Sequence, residues 1–228
     1  PEKSFQGTGS VTSGLASIVQ SGTKDTITIN SPQAVIDWKL DNEGGSGPIT
    51  FLPEGRIGLF QNGETSNFVV LNRIVPTDQT RAIRFDGTVQ SRINVPGAGQ
   101  VTGGSVWFYS PGGIIAGSTA MFDVGSLVLT ANDVDTNGGL FGSKGEIRFR
   151  GAAGSQSAIQ IDPGARIQAL TQGSYVALVA PRITQGGNVR VDGSVGYVAA
   201  EAADVTINNG LFDISFITGT TAKQAIVH

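Results

Sequence analysis

The stretch from residue 104 to residue 129, GSVWFYSPGGIIAGSTAMFDVGSLVL, repeats one short pattern at its two ends. Gly104-Ser105-Val106 returns as Gly125-Ser126-Leu127, 21 residues further on. Between them lie short apolar runs separated by the turn residues Pro and Gly, which is the composition of brief strands joined by tight turns. A period near 20 with two or three strands per period predicts one coil of a parallel β-helix.

The rest of the chain continues this pattern. Gly173-Ser174-Tyr175 and Gly193-Ser194-Val195 lie 20 residues apart, and alternating segments such as Glu146–Arg150 and Asp204–Ile207 put apolar side chains on one face. Gly or Pro interrupts almost every window in which a helical repeat could develop, so we expect an all-β chain. A β-sandwich also has a turn every 8–12 residues or so and remains the alternative on spacing alone.

Composition excludes several classes of protein. Charged residues make up 14% of the 228 residues and apolar residues 39%, so the chain is too apolar and too weakly charged to be disordered. The net charge is −3, with no basic block, which argues against a nucleic-acid partner. The chain has no Cys and no apolar run long enough to span a bilayer as a helix.

The two ends of a solenoid carry open strand edges that need covering. Residues 1–30, which are rich in Ser, Thr and Gly, are predicted to be an N-terminal cap, and residues 31–228 the β-helix, together forming one domain. Residues 211–217 still have the pattern of a strand, and no capping helix follows them. We therefore expect the natural protein to continue beyond His228, with this chain as its N-terminal part.

Four segments resemble, in order, the motifs of a known family. They are 34–40 with 48–51 (AVIDWKL, PITF), 70–74 with 86–89 (VLNRI, DGTV), 104–129, and 175–183 (YVALVAPRI). Together they resemble the filamentous-haemagglutinin N-terminal domain, the secretion domain of two-partner-secretion exoproteins. The family signature Asn-Pro-Asn-Gly is here Ser110-Pro111-Gly112-Gly113, and the second signature, Asn-Pro-Asn-Leu, is absent. Pro and Gly preserve the turn, and Ser110 is expected to replace part of the capping by the first Asn.

The resemblance implies a right-handed parallel β-helix with an N-terminal β cap and extra-helical strands. It also implies a non-enzymatic secretion domain of a large adhesin or other exoprotein of a Gram-negative bacterium. Such a chain crosses the periplasm, is recognised by an outer-membrane β-barrel transporter, and ends outside the cell or on its surface. Host receptors or glycans would be bound by regions further along the parent protein. The resemblance assigns the motif positions to the Ser110–Gly113 turn and to Asn72 and Arg73, with no cofactor.

The sequence gives little support for catalysis or metal binding. His228, the single histidine, is the last residue and is not placed for catalysis. Asp133, Asp135 and Asn137 match the first half of a calcium-binding loop, but Lys144 stands where the bidentate Glu belongs, so this is a weak calcium candidate. We predict no other metal site.

Two alternatives to the secretion domain remain open. A carbohydrate-active β-helix, such as a polysaccharide lyase or a glycosidase, would need acids and basic residues on one face of adjacent coils. The candidates for it are Asp86, Asp123, Asp162, Asp192, Arg84, Arg92, Arg148, Arg150 and Arg166. The second alternative is a structural or adhesive fragment of a surface filament. Trp38, Trp107 and Tyr109 could stack on sugars, but core packing is the better prediction for them.

Overall fold

The structure is a computed structural model that describes residues 2–228, and all its regular elements in that range are β-strands. The strands are β1 (Gly7–Ser13), β2 (Ala16–Val19), β3 (Lys24–Ile29), β4 (Gln33–Leu40), β5 (Ile49–Leu52), β6 (Ile57–Asn62), β7 (Val69–Ile74), β8 (Ile83–Phe85), β9 (Thr88–Val95), β10 (Gly99–Thr102), β11 (Ser105–Tyr109), β12 (Ile114–Ala116), β13 (Met121–Asp123), β14 (Ser126–Thr130), β15 (Asp133–Val134), β16 (Glu146–Arg150), β17 (Ala158–Ile161), β18 (Arg166–Ala180), β19 (Arg182–Gln185), β20 (Asn188–Asn208), β21 (Leu211–Gly219) and β22 (Ile226–Val227). No helix in residues 2–228 is long and apolar enough to cross a membrane.

The strands stack coil upon coil into a right-handed parallel β-helix, as predicted. One run of parallel neighbours is β4, β7, β11, β14 and β18, a second is β3, β6, β9, β13 and β18, and a third is β5, β8, β12, β17, β19 and β22. The repeat seen in the sequence is the register itself, because Ser105 pairs with Ser126 and Val106 with Leu127 in adjacent coils. The sandwich alternative is therefore wrong.

The interior of the β-helix is a column of stacked apolar side chains whose composition changes along its length. Its N-terminal part is aromatic, with Phe5 in ring contact with Trp38, Phe51 and Phe60. Its C-terminal part is aliphatic, with Ile159, Ile167, Val176, Leu178 and Ile183 fully or almost fully buried. The polar and apolar residues alternate along these strands because successive side chains point to opposite faces.

A second apolar layer covers one outer face of the β-helix. Strand β16 pairs antiparallel with β15 and β20, and β20 pairs antiparallel with β21. This extra-helical sheet buries Leu71, Trp107 and Val128, which are outward-facing side chains of the β-helix strands beneath it. The predicted extra-helical strands are thus present, and they explain why Trp107 is buried although it points away from the helix interior.

The N-terminal end is closed by β1 and β2, which run antiparallel to β4 and β3. Strand β3 already pairs in parallel with β6, as the strands of successive coils do. The boundary between cap and β-helix at residue 30 stays a prediction. The side chain of Phe5 fills the end of the core. It lies so close to Gly58 that a Cβ on residue 58 would come within 2.1 Å of the Phe5 ring.

Candidate functional site

Each of the four motif segments, which are far apart in the sequence, contributes a strand to one run of neighbouring strands, while β5, β12 and β19 of the same segments lie in the six-stranded sheet. They lie on β4, β7, the β11–β14 region and β18 with β19, and β4, β7, β11, β14 and β18 are consecutive in the strand order. Register is maintained across them, since Ile36 pairs with Asn72 and Asn72 with Phe108. The motifs therefore lie on consecutive coils.

Asn72 lies in the interior of this stack and is fully buried. Its Oδ1 accepts a hydrogen bond from Trp38 Nε1 at 3.0 Å, and its Nδ2 donates to the carbonyl oxygen of Trp107 at 3.1 Å. One side chain thus joins three successive coils by hydrogen bonds in an apolar core, where unpaired polar groups would be costly. A partner cannot reach Asn72 in the folded domain.

Arg73 points the opposite way, towards the extra-helical sheet. Its Nε donates to Asp133 Oδ1 at 2.9 Å, and its Nη2 donates to the carbonyl oxygen of Val134 at 2.8 Å. The half-buried Tyr109 lies beside this pair, and burial, with a contribution from the Asp133 carboxylate, raises the pKa of its phenol to about 12. Arg73 therefore anchors strand β15 against the β-helix.

The Ser110–Gly113 segment is a tight turn at a corner between β11 and β12. Gly113 N donates to Ser110 O at 3.0 Å, and Gly113 has φ +97°, the region that favours glycine. A Cβ on Gly112 would lie 2.1 Å from the carbonyl oxygen of Arg81. The family's Asn is thus replaced by Gly at a point where the backbone of the preceding coil comes too close for any side chain.

Ser110 does not play the capping role expected of it. Its backbone N–H donates to Thr130 O at 3.1 Å, but its hydroxyl, fully buried, has no hydrogen-bond partner among residues 2–228. The prediction that this hydroxyl replaces the Asn cap is wrong, because the side chain points into the apolar interior. The turn is held instead by its own backbone bond and by Ser157 Oγ, which donates to Pro111 O at 2.7 Å.

Pro111 and Gly112 lie in a surface groove of about 560 Å³, which we call the turn groove. Segment 79–82 forms one wall and segment 152–158 the other, with Ile115, Gln160 and Arg182 completing the lining. Asn72, in contrast, lies in the core. The structure therefore does not bring the two predicted motif positions together on one surface, although they belong to adjacent strands.

The calcium candidate residues lie on and just after β15. Asp133 Oδ1 accepts hydrogen bonds from Arg73 and from Val134 N, and Asp135 Oδ1 accepts one from Asn137 N. Within the described range no three His, Cys, Asp or Glu side chains cluster as metal ligands. A cation at Asp133 would have to displace the Arg73 guanidinium, and the weak calcium site stays a prediction.

Two of the acids proposed for a carbohydrate-active enzyme do meet across coils. Arg84 Nε lies 2.9 Å from Asp86 Oδ1, and Arg84 Nη2 lies 3.8 Å from Asp162 Oδ2. Gly117 separates them, and a Cβ there would come within 2.0 Å of Asp86 Oδ1. Both carboxylates are thus held by one guanidinium, an arrangement that ties coils together.

The remaining candidates are dispersed. Asp123 pairs with Arg92 at 2.6 Å, and Arg150 pairs with Asp204 at 2.8 Å. Arg148 donates to three backbone carbonyls of the segment that follows β15. Asp192 and Arg166 are exposed. The acids and bases therefore do not form one cluster.

The aromatic candidates are packing residues, as predicted. Trp38 is 3% exposed and Trp107 is fully buried. Trp107 donates from Nε1 to the hydroxyl oxygen of Tyr175 at 3.0 Å and meets Phe141 edge-on. Burial raises the pKa of Tyr175. Neither tryptophan ring offers a face for sugar stacking, whereas Tyr109 is half-buried.

Sequence reasoning missed the buried acid Asp25. Its Oδ1 accepts hydrogen bonds from Ser4 N and Ser21 N, and its Oδ2 accepts from Phe5 N and Gln20 Nε2, all between 2.8 and 3.0 Å. The alternation Asp25-Ile27-Ile29, which puts an acid on the apolar face of β3, was the available signal.

Comparisons with known proteins support the fold. No protein-family model matches the chain, and no curated protein matches it. Among solved structures, the secretion domain of HMW1 from Haemophilus influenzae superposes with a TM-score of 0.65 at 16% identity, over 96% of this chain. The filamentous hemagglutinin secretion domain superposes with a TM-score of 0.58 at 18% identity, over 94% of this chain. This chain spans 50% of the first of these structures and 72% of the second. The fold that the motifs predicted is confirmed.

Proposed function

We propose that this chain is the secretion domain of a large exoprotein, recognised by the outer-membrane β-barrel transporter of a two-partner system. The observation that carries the proposal is the coincidence of two independent signals. Four family motifs occur in order in the sequence, and the fold of nearly the whole chain superposes on two secretion domains. The stacking of those motifs on consecutive strands gives them a common structural context.

The proposed role is non-enzymatic. The chain would cross the periplasm of a Gram-negative bacterium unfolded and fold coil by coil outside, with the parent adhesin or other exoprotein secreted or retained at the surface. A solenoid suits this route because each coil contacts its neighbours alone, and the absence of Cys removes any need for disulfide chemistry. Contacts with host receptors, and further contacts with glycans, would belong to regions further along the parent.

Within this proposal the motif positions divide into two roles. Pro111 and Gly112 are partly exposed in the turn groove and are proposed to contact the transporter. Asn72 and Arg73 act through the fold, since Asn72 joins three coils and Arg73 fixes β15. Loss of either would slow folding at the surface without removing a contact with the transporter.

The test is export of the chain from cells that carry the cognate transporter. Pro111→Glu, which places a charge on the exposed turn, is expected to lower export at least about tenfold, the loss of roughly 1.4 kcal/mol of recognition. The matched control is Pro163→Glu, in the exposed Asp162-Pro163-Gly164 turn one coil away, which should export normally. Equal export of both variants, or export that does not need the transporter, would overturn the proposal.

A structural or adhesive filament fragment is the second candidate, and strand β21 favours it. Among the described strands β21 pairs with β20 alone, so its other edge has no partner there, and it exposes Leu211, Phe216 and Ile217. Open apolar edges pair with other chains. Sedimentation of the purified chain decides between the two: concentration-dependent association lost in Phe216→Lys would support a filament fragment, and a monomer throughout would exclude it.

A further inference from the structure

The turn groove has rigid walls. On one side Arg81 donates to the carbonyl oxygens of Glu43, Gly44 and Gly47, which fixes the segment that carries Gln79 and Thr80. On the other side the nearly buried Glu201 accepts a hydrogen bond from Gly154 N at 3.0 Å. Both walls are therefore held by the body of the protein, and a ligand would not have to order them.

Several side chains in this groove have unused hydrogen-bonding capacity. Gln79 and Gln156, one on each wall, make no side-chain hydrogen bond within residues 2–228, and Gln160 uses its amide nitrogen alone, on Asp162. Arg182 makes neither a hydrogen bond through its guanidinium nor an ion pair in the same range. Three amides and one guanidinium thus line a groove that also contains apolar groups such as Ala82, Ile115 and Ala158.

Among the described residues that line the groove, Arg182 is the one charged side chain and there is no acid, which favours an acidic ligand. The Asp78 carboxylate turns into its own loop, where hydrogen bonds from Thr80 Oγ1 and Thr80 N hold its pKa below the usual range. Asp162 accepts from Gln160 and faces Arg84. The acids near the groove are thus engaged within the protein, whereas Arg182 is free to pair with a carboxylate.

The floor of the groove is a sheet face rather than a sheet edge. Strand β12 is paired on both sides, with β8 and β17, and β17 is paired with β12 and β19. An extended peptide could therefore not add a strand here, because the backbone groups it would pair with are already used. The groups that remain are side-chain amides and a guanidinium, which suit hydroxyls and carboxylates spaced along a saccharide.

We propose that the turn groove is a binding site for an acidic oligosaccharide, with Arg182 pairing a sugar carboxylate and Gln79, Gln156 and Gln160 bonding hydroxyls. The lining contains no aromatic residue, so affinity depends on charge and hydrogen bonds rather than on ring stacking. Binding of this kind is weak and falls with increasing salt. The site shares the turn groove with the proposed transporter contacts Pro111 and Gly112, and saccharide binding requires only the folded domain.

The experiment titrates the purified chain with trigalacturonate and follows binding by calorimetry and by NMR chemical shifts. Arg182→Gln is expected to weaken binding about tenfold, as for the loss of a charge-assisted hydrogen bond. Gln79→Ala and Gln156→Ala, whose side chains make no hydrogen bond within residues 2–228, should each weaken it by a smaller factor. The largest chemical-shift changes are expected in segments 79–82 and 152–160.

The matched control is Arg190→Gln, because Arg190 is also exposed, makes no ion pair in the described residues, and lies outside the groove. It should bind as the unaltered chain does. Neutral galactotriose and tetraglutamate serve as comparison ligands and should bind more weakly. Equal binding by the Arg182 and Arg190 variants, tighter binding of tetraglutamate, or no binding of trigalacturonate up to about 10 mM, in the weak range of the affinity scale, would each overturn the proposal.

Discussion

At the N-terminal end of the β-helix Phe5 is fully buried against Trp38, Phe51 and Phe60, whereas Phe216, on the C-terminal strand β21 of the extra-helical sheet, is 59% exposed. The N-terminal end is also locked by Asp25, a fully buried acid with four hydrogen bonds. At the other end Val195, Leu211 and Ile226 are exposed. The same coil architecture is thus closed at one end and open at the other, and we expect stability to fall from the first to the last coil.

Asp25→Ala should give the largest effect. It leaves the N–H groups of Ser4, Phe5 and Ser21 buried without an acceptor, at a cost of about 4 kcal/mol in the free energy of unfolding. Urea denaturation measures the total loss in the free energy of unfolding, and amide hydrogen exchange shows whether β2 and β3 open first. Asp192→Ala, in an exposed turn near the other end, is the control and should change stability by no more than about 0.5 kcal/mol.

Phe5→Ala and Phe216→Ala test the same comparison with one residue type. Removing the Phe5 ring leaves a cavity between three aromatic rings and should cost about 3 kcal/mol, at the low end for a buried Phe because the site is at the end of the core. The exposed Phe216 should tolerate the change with a loss below about 1 kcal/mol. Equal losses in the two variants would mean that the C-terminal strands are as well packed as the N-terminal ones.

The sequence predicts the coil repeat well because the period of Gly-Ser-apolar triplets is the register between neighbouring strands. It also predicts the burial of Trp38 and Trp107. It does not show that Asn72 bridges Trp38 and Trp107, because those residues are joined by stacking of coils rather than by spacing within a strand.

The turn groove was likewise not predictable from the sequence. Its walls, segments 79–82 and 152–158, come from loops of different coils, and their lengths follow no repeat. The failed expectation for Ser110 has the same origin. A local rule for a turn residue does not tell whether the side chain points into the turn or into the core.

Asn72→Ala should have an intermediate effect. The variant leaves Trp38 Nε1 and the Trp107 carbonyl oxygen without their partner in the core, and we expect a loss of about 2 kcal/mol. Since Asn72 joins the three coils that contain β4, β7 and β11, amide hydrogen exchange should increase in all three strands together. Exchange confined to β7 would show that the bridge is local and does not couple the coils.

Combining Asn72→Ala with Trp38→Phe provides the control for that prediction. Trp38→Phe removes the hydrogen-bond donor, so the bond between Trp38 and Asn72 Oδ1 is already lost before Asn72 is changed. The two losses should then be less than additive, as for residues in direct contact. Full additivity would contradict the proposed bridge.

The smallest effect concerns pH and compares the covered middle of the molecule with its open end. Burial and the Asp133 carboxylate raise the pKa of Tyr109 to about 12, and burial also raises the pKa of Tyr197 near the C-terminal end. A raised phenol pKa means that the folded state favours the neutral form. This contribution is complete below about pH 10, the value of a free tyrosine, and is lost as the pH rises towards 12. In urea denaturation Tyr109→Phe should therefore reduce the loss of stability between about pH 10 and pH 12 more than Tyr197→Phe does. A larger effect of Tyr197→Phe would place the tighter burial at the open end and reverse the comparison.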